Sequence, residues 1–328
     1  VLRSSSRAEA RVRAFAHRIG LGRRARLVLT YHRVADIAFD PFALAVPPDW
    51  FAGHLAVLRR RAEIVPVADL LGPVGRGRRP RVAVTFDDGY RDTLDVAVPI
   101  LRDAEVPATV FVSTGYLGDV RGYWWDRVAS AIGASDVPAA ALDGIVPPAV
   151  AALGSPGGPG TAAAVALALA ERIRAEPPDA RDALVDQVEA RLPARVGGHR
   201  ALAPILDEAG VRTLAATPGM TIGAHTDRHA QLAALPSADQ MTEIVRGLDR
   251  LEGILGARPD LLAYPYGGEG DYDGASCAAA AAAGLRVAFV NHHRRFDLAA
   301  DPFRLPRWAV PPVAPEAFAP WLDRALAA

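Results

Sequence analysis

The feature that most limits what this chain can become is a set of seven short apolar runs spread along its length. They are Leu27–Tyr31, Arg81–Phe86, Ala108–Ser113, Met220–Ala224, Leu261–Tyr264, Arg286–Val290 and Arg304–Val310. Most are continuously apolar rather than alternating, the pattern of strands buried on both faces. Helical patterns separate them. Trp50 to Arg61 follows Pro47-Pro48, with Asp49 placed to cap it. Asp92 to Ala104 follows an Asp-Asp-Gly turn, and Ser237 to Leu255 is apolar at helical spacing and stops at Gly256. Strand–helix alternation predicts an α/β fold with a mostly parallel sheet. Seven strands could close into a barrel, and barrel enzymes keep their chemistry at the C-terminal strand ends.

One stretch breaks the rhythm. The residues from Tyr123 to Ala216 open with Tyr123-Trp124-Trp125-Asp126 and pass through Pro/Gly-rich linkers such as Gly154 to Gly160. They also carry helical patterns at Thr161–Ala175 and Asp179–Leu192. This is too long for a plain loop and reads as a helical insertion between the third and fourth strands.

Composition narrows the function. The chain has 328 residues, 51% of them hydrophobic, so a sizeable core is within reach. Net charge is zero with no basic stripe, which points away from nucleic acid. All 37 basic residues are arginine. That excludes Schiff-base lysines and the P-loop lysine, and codon bias is its simplest cause. The single cysteine, Cys277, excludes an intrachain disulfide and a thiolate zinc cluster, and reads as a small buried helix residue. The Arg-rich segment from Arg3 to Arg26 has no apolar h-region, so the expectation is a cytoplasmic protein. No run approaches the roughly 18 apolar residues of a transmembrane segment.

The chemistry gathers at strand ends. The second run ends in Asp87-Asp88-Gly89, and His225 and His229 follow the fourth. Two imidazoles and one carboxylate make a three-ligand metal site with room for a water. The second carboxylate is then free to act as a base. The four-residue spacing predicts both histidines on one face of a helical turn. Taken singly, each motif has a plainer reading: Asp-Gly as a helix cap, the histidines as a surface pair. A third element, Ala263-Tyr264-Pro265-Tyr266-Gly267-Gly268, ends a strand in a turn whose backbone N–H groups could stabilise an oxyanion. Trp124 and Trp125 read either as a sugar-stacking platform or as the anchor of the insertion.

Together these residues resemble the polysaccharide deacetylases, the family-four carbohydrate esterases with a NodB-homology domain. Thr85–Tyr90 resembles the family's T-F-D-D-G segment and His225–His229 its H-[ST]-x-x-H segment. Tyr264–Gly267 is similar to its R-x-P-Y-G segment in a variant form, and Tyr31-His32-Arg33-Val34 to its Y-H-x-V strand. The resemblance runs from Leu27 to Pro312 apart from the insertion. It implies a distorted (β/α) barrel of about seven strands. In this frame residues 1–26 form an N-terminal helical segment and 27–312 the barrel, interrupted by the insertion 121–216. A C-terminal helix, 313–328, completes the chain.

Roles follow from the same resemblance. Asp87 is expected as the general base. Asp88, His225 and His229 are expected to hold a divalent metal, with zinc the expected ion. The Tyr266 backbone N–H is expected to face the oxyanion, and His32, Pro265 and Trp125 the substrate. The implied reaction removes an N-acetyl group from an amino sugar in a polysaccharide, a lipid-linked glycan or a glycosylated small molecule. The alternatives are hydrolysis of another C–N bond, in a formamide or a non-sugar amide, and an inactive glycan-binding relative.

Two positions depart from the family pattern. The arginine that opens the third motif and orients the base is replaced by Tyr264 or Ala263. The last motif's Leu-x-His is replaced by Phe303-Arg304-Leu305-Pro306-Arg307-Trp308. Arg304 and Arg307 either supply the missing arginine or pair with Asp297 and Asp301. His292, His293 and His32 are the candidates for the general acid, with His32 best placed at the end of the first strand.

Overall fold

The computed structural model describes residues 25–72, 79–135, 139–151, 159–194, 203–297 and 299–328. The expected N-terminal helical segment lies outside them up to residue 24, as does the Gly154 to Gly160 linker up to residue 158.

All seven apolar runs form strands. In chain order these are β1 (Arg26–Tyr31), β2 (Arg81–Phe86), β3 (Ala108–Val112), β4 (Met220–Ala224), β5 (Leu261–Ala263) and β6 (Val287–Val290). The seventh run divides into β7 (Leu305–Pro306) and β8 (Trp308–Ala309), parted at Arg307. Every pairing is parallel. β1 lies beside β2 with Leu27 opposite Val82, and β3 to β7 join the growing edge in sequence order.

The divided run nearly closes the barrel. β7 pairs with β6, Leu305 opposite Phe289, whereas β8 pairs with β1, Leu29 opposite Trp308. Between them the Arg307 N–H donates to the Val290 carbonyl, and the Val310 N–H to that of Thr30. One run therefore hands its hydrogen bonds from the sixth strand to the first, and Arg307 marks the change.

Strands with two buried faces explain the unbroken apolar runs. One face of the sheet contributes Val28, Ala83, Phe111, Ala263, Phe289 and Leu305 to the barrel interior. The other contributes Leu29, Val84, Val110 and Ile222, which pack under the surrounding helices. These are α1 (Pro48–Arg61), α2 (Val98–Asp103), α6 (Glu208–Ala216), α7 (Ser237–Leu255), α8 (Gly274–Ala282) and α9 (Pro315–Ala327). Each large apolar side chain buried there contributes about 1.5–3 kcal/mol relative to exposure.

One helix start differs from expectation. Pro47 occupies the cap of α1, so Asp49 lies in the first turn instead. Ahead of α2, Thr93–Ala97 forms a π-turn with no side-chain cap. The Asp92 carboxylate is engaged elsewhere, accepting from Arg33 Nε at 2.9 Å and from the Val34 N–H at 3.2 Å.

Between β3 and α6 lie α3 (Trp124–Ala134), α4 (Pro159–Arg174) and α5 (Pro178–Arg191). They share an apolar core of their own, with Trp125, Val128, Leu169, Val185 and Val188 at its centre. Tyr90, from the turn after β2, is part of that core. The added helices thus rest on the C-terminal ends of the strands. Among the described residues no helix is long and apolar enough to cross a membrane.

Candidate active site

The residues expected to act on the metal, the water and the oxyanion stand past the C-terminal ends of strands. His32 follows β1, Asp87 and Asp88 follow β2, His225 follows β4, and Tyr266 lies in the turn after β5. Parallel strands in one register bring these ends to one mouth.

Asp88, His225 and His229 converge, with one ligand atom of each lying within 4.8 Å of the others. Asp88 Oδ1 is 3.4 Å from His225 Nε2 and 3.3 Å from His229 Nε2. The three side chains are almost wholly buried, and Asp88 Oδ1 has no hydrogen-bond partner among the described residues. His225 Nδ1 lies 2.7 Å from the Ala263 carbonyl. A carbonyl only accepts, so Nδ1 carries the proton and the Nε2 lone pair faces the cluster. A buried, unsatisfied carboxylate oxygen between two imidazole nitrogens suits a divalent cation.

The two histidines do not sit on a helical turn. Residues 225–229 form a loop in which Thr226 (φ 64°) and His229 (φ 50°) are left-handed. Asp88 (φ 74°) and Tyr266 (φ 60°) share that conformation, so among the described residues four of the six non-glycine positions with positive φ lie at this mouth. Such backbone costs about 1–3 kcal/mol per residue and persists only where surroundings enforce it. Here they do. Thr114 Oγ1 donates to Asp227 Oδ1 at 2.8 Å, and the Arg228 N–H to Glu243 Oε2 at 2.8 Å. Gly247 lets α7 press against the loop, since a Cβ there would lie 2.8 Å from the Thr226 carbonyl.

Asp87 is held differently. Arg307 Nη1 donates to Oδ1 and Nη2 to Oδ2, each at 2.7 Å, and both side chains are buried. The guanidinium lies 5.2 Å from the Phe111 ring centroid and 5.9 Å from that of Phe289, inside the barrel. Burial alone would raise the Asp87 pKa, but Arg307 and His225 outweigh it and hold the carboxyl below its ordinary value. Arg304, the other candidate, instead lies near Asp301 and Cys277. Burial likewise opposes the charged form of Asp88, and the two histidines more than compensate. His229 is pushed down to about 4 by its burial despite Asp88, which keeps it in the neutral form that binds metals.

Tyr266 closes one side. Its N–H donates to no backbone carbonyl among the described residues. Asn291 braces the turn, its Nδ2 donating to the Tyr266 carbonyl at 2.7 Å and its own N–H to that of Gly267 at 2.8 Å. The Pro265 carbonyl accepts from the Gly267 N–H at 2.6 Å. The Tyr266 hydroxyl accepts from Trp124 Nε1 at 3.1 Å.

The remaining candidates separate. His32 lies near enough to Asp87 and Asp88 to be among the groups that favour their ionised forms, behind Arg307 for Asp87 and the two histidine ligand candidates for Asp88. His292 packs near Tyr272, and His293 stacks on Trp308 at 4.6 Å. Trp125 is 6% exposed. Its ring stacks on Tyr123 at 4.4 Å and meets His229 edge-on at 4.8 Å, and its Nε1 donates to the Tyr90 hydroxyl at 2.8 Å. That is an anchoring position beneath the insertion. Sequence reasoning passed over Ser113, Tyr123, Arg181 and Asn291, which meet the site mainly by hydrogen-bonding its main-chain carbonyls, contacts that no local pattern announces.

A parallel barrel with these groups gathered at its C-terminal mouth has its candidate chemistry where barrel enzymes keep theirs. The polysaccharide deacetylase family's model matches residues 75–137 and 193–288, and the chain is similar to that family over those two segments. The fold is similar to that of the Streptococcus pyogenes deacetylase PplD in complex with acetate, at 18% identity and a TM-score of 0.57, over 91% of this chain and 97% of that one. It is also similar to IcaB from Ammonifex degensii, at 17% identity and a TM-score of 0.56, over 93% of this chain and 98% of that one. No curated protein matches the chain.

Proposed function

We propose that this protein hydrolyses an N-acetyl group on an amino sugar with the help of a divalent metal, zinc in the first instance, releasing acetate and a free amine. The match to the polysaccharide deacetylase family supports the reaction class. The observation that carries the metal-assisted reading is the side-by-side arrangement of two unlike carboxylates: Asp88 among imidazoles, Asp87 clasped by Arg307.

Asp88, His225 and His229 are the residues that would hold the cation. Bound there, it would supply Lewis acidity, making water more acidic and the acyl carbonyl more electrophilic. The chain's own groups account for the rest. Asp87 takes the proton from the attacking water, and Arg307 keeps that carboxylate ionised and fixes the direction of its lone pairs. The Tyr266 N–H donates to the oxygen on which negative charge develops. His32 gives a proton to the departing nitrogen as the C–N bond breaks. Water thus contributes its hydroxyl to acetate and a proton to the amine.

The buried ligands and the roof of Trp124, Trp125 and Tyr266 also suit a small acyl amide, so formamides belong beside the sugars in any substrate panel. The test is acetate release from N-acetylglucosamine oligomers and monomeric glycosides, with metal-stripped and zinc-reloaded protein side by side. Zinc-dependent acetate is expected. A protein that binds zinc yet releases no acetate from any sugar in the panel overturns the proposal.

A further inference from the structure

All three ligand candidates have their main-chain carbonyls held by buried side chains. Ser113 Oγ donates to the His225 carbonyl at 2.6 Å. Tyr123 Oη donates to that of Asp88 at 2.5 Å, and Arg181 Nη1 to that of His229 at 3.1 Å. The last two matter most, because Asp88 and His229 are the ligand candidates with left-handed backbone. Such backbone relaxes unless something holds its peptide groups in place.

Arg181 is an unusual residue to find in this role. Its side chain is 0% exposed and belongs to α5, in the stretch that separates the two segments matched to the family. Besides the His229 carbonyl it serves that of Arg228, Nη2 to oxygen 2.9 Å, and the Tyr116 hydroxyl at 2.7 Å. Its nearest carboxylate, Asp182, is 3.6 Å from Nε, so its close partners are neutral oxygens. Burying a guanidinium against neutral acceptors is costly. What it secures is the geometry of two successive carbonyls in the loop that carries His229.

We propose that Arg181, with Tyr123, is a positioning residue for the metal site. The helices between β3 and β4 therefore do more than wall the cleft: they hold Asp88 and His229 in the backbone conformation that turns them toward one point. This rests on reading Asp88, His225 and His229 as metal ligands.

The experiment compares wild type, Arg181→Met, Tyr123→Phe and Arg127→Met. Arg127 is the control, a buried arginine of α3 whose Nη2 bonds Asp186 and Glu189 within the same helices and away from the loop. Metal-stripped proteins are titrated with Zn2+ against a chromogenic chelator, and the visible spectrum of the Co2+-loaded forms is recorded. Arg181→Met is expected to bind Zn2+ about 10- to 100-fold more weakly, with an altered Co2+ spectrum. Tyr123→Phe should lose about two- to tenfold, and Arg127→Met should match wild type. Wild-type affinity and spectrum in both Arg181→Met and Tyr123→Phe overturn the inference while leaving the metal reading intact. An equal loss in Arg127→Met overturns it too, by making the effect one of general loosening. If Arg181→Met does not fold, Tyr123→Phe decides alone. A wild type that binds no Zn2+ overturns the metal reading and the inference with it.

Discussion

Arg307 and Asp87, 220 residues apart in sequence, meet inside the barrel through two parallel hydrogen bonds of 2.7 Å. Removing one partner of such a pair leaves a buried charge alone, at a cost of about 3–5 kcal/mol. Arg307→Met should therefore lower the melting temperature clearly. It should also move the acid limb of the pH–rate profile. Arg307 is what holds the Asp87 pKa down against burial. Without it the base is lost at a higher pH, so the limb shifts upward. A residual activity with an unmoved limb would show that Arg307 does not govern the base.

Asp87→Asn separates the base from the metal site. Zinc stoichiometry should stay at one per chain while turnover falls by about 10²–10⁴-fold, the usual contribution of a positioned base. His225→Ala and His229→Ala should instead lose the metal itself. Metal analysis of the purified variants, run beside acetate release, distinguishes the two outcomes.

For the general acid the three histidines give opposite expectations. His32→Ala should lower kcat by about 10²-fold or more. His292→Ala and His293→Ala should stay near wild type, since Tyr272 and Trp308 are their ring partners. The reverse ranking in kcat would move the acid to the end of β6.

His54 gives a stability prediction away from the chemistry. Its Nε2 donates to the Val313 carbonyl at 2.8 Å, its Nδ1 lies 3.4 Å from the Tyr31 hydroxyl, and its ring stacks on Phe318 at 4.0 Å. Burial lowers its pKa to about 4 from the ordinary 6.5. Between those values the unfolded chain binds a proton that the folded chain refuses, so stability falls as pH drops through that window. The loss amounts to up to about 3 kcal/mol. Urea unfolding of wild type and His54→Gln at pH 7 and pH 4.5 should show a shallower pH dependence in the variant. Equal slopes would rule out His54 as a source.

The barrel was legible because strands buried on both faces leave continuous apolar runs, and Leu27–Tyr31 or Ala108–Ser113 can be little else. The site was legible as an inventory, since Asp87, Asp88, His225 and His229 follow such runs directly. Its geometry was not. The His225–His229 spacing is that of a helical turn, yet left-handed Thr226 and His229 override it, held by contacts with α7, which follows the loop, and with α5, 48 residues before His229. Arg307 could not be told from Arg304 by sequence, because only the handover between β7 and β8 turns one of them inward. Asp49 failed as a cap because Pro47 already preset the chain for α1.

The divided seventh strand ties the order of assembly to competence. Arg307 occupies the single residue where the run leaves β6 and joins β1, so the carboxylate it grips is steered only once the two ends of the sheet have met. A chain halted or nicked ahead of that point would carry Asp88, His225 and His229 in its sequence but lack the group that directs its base. Closing the wall and aiming the base thus fall to one residue.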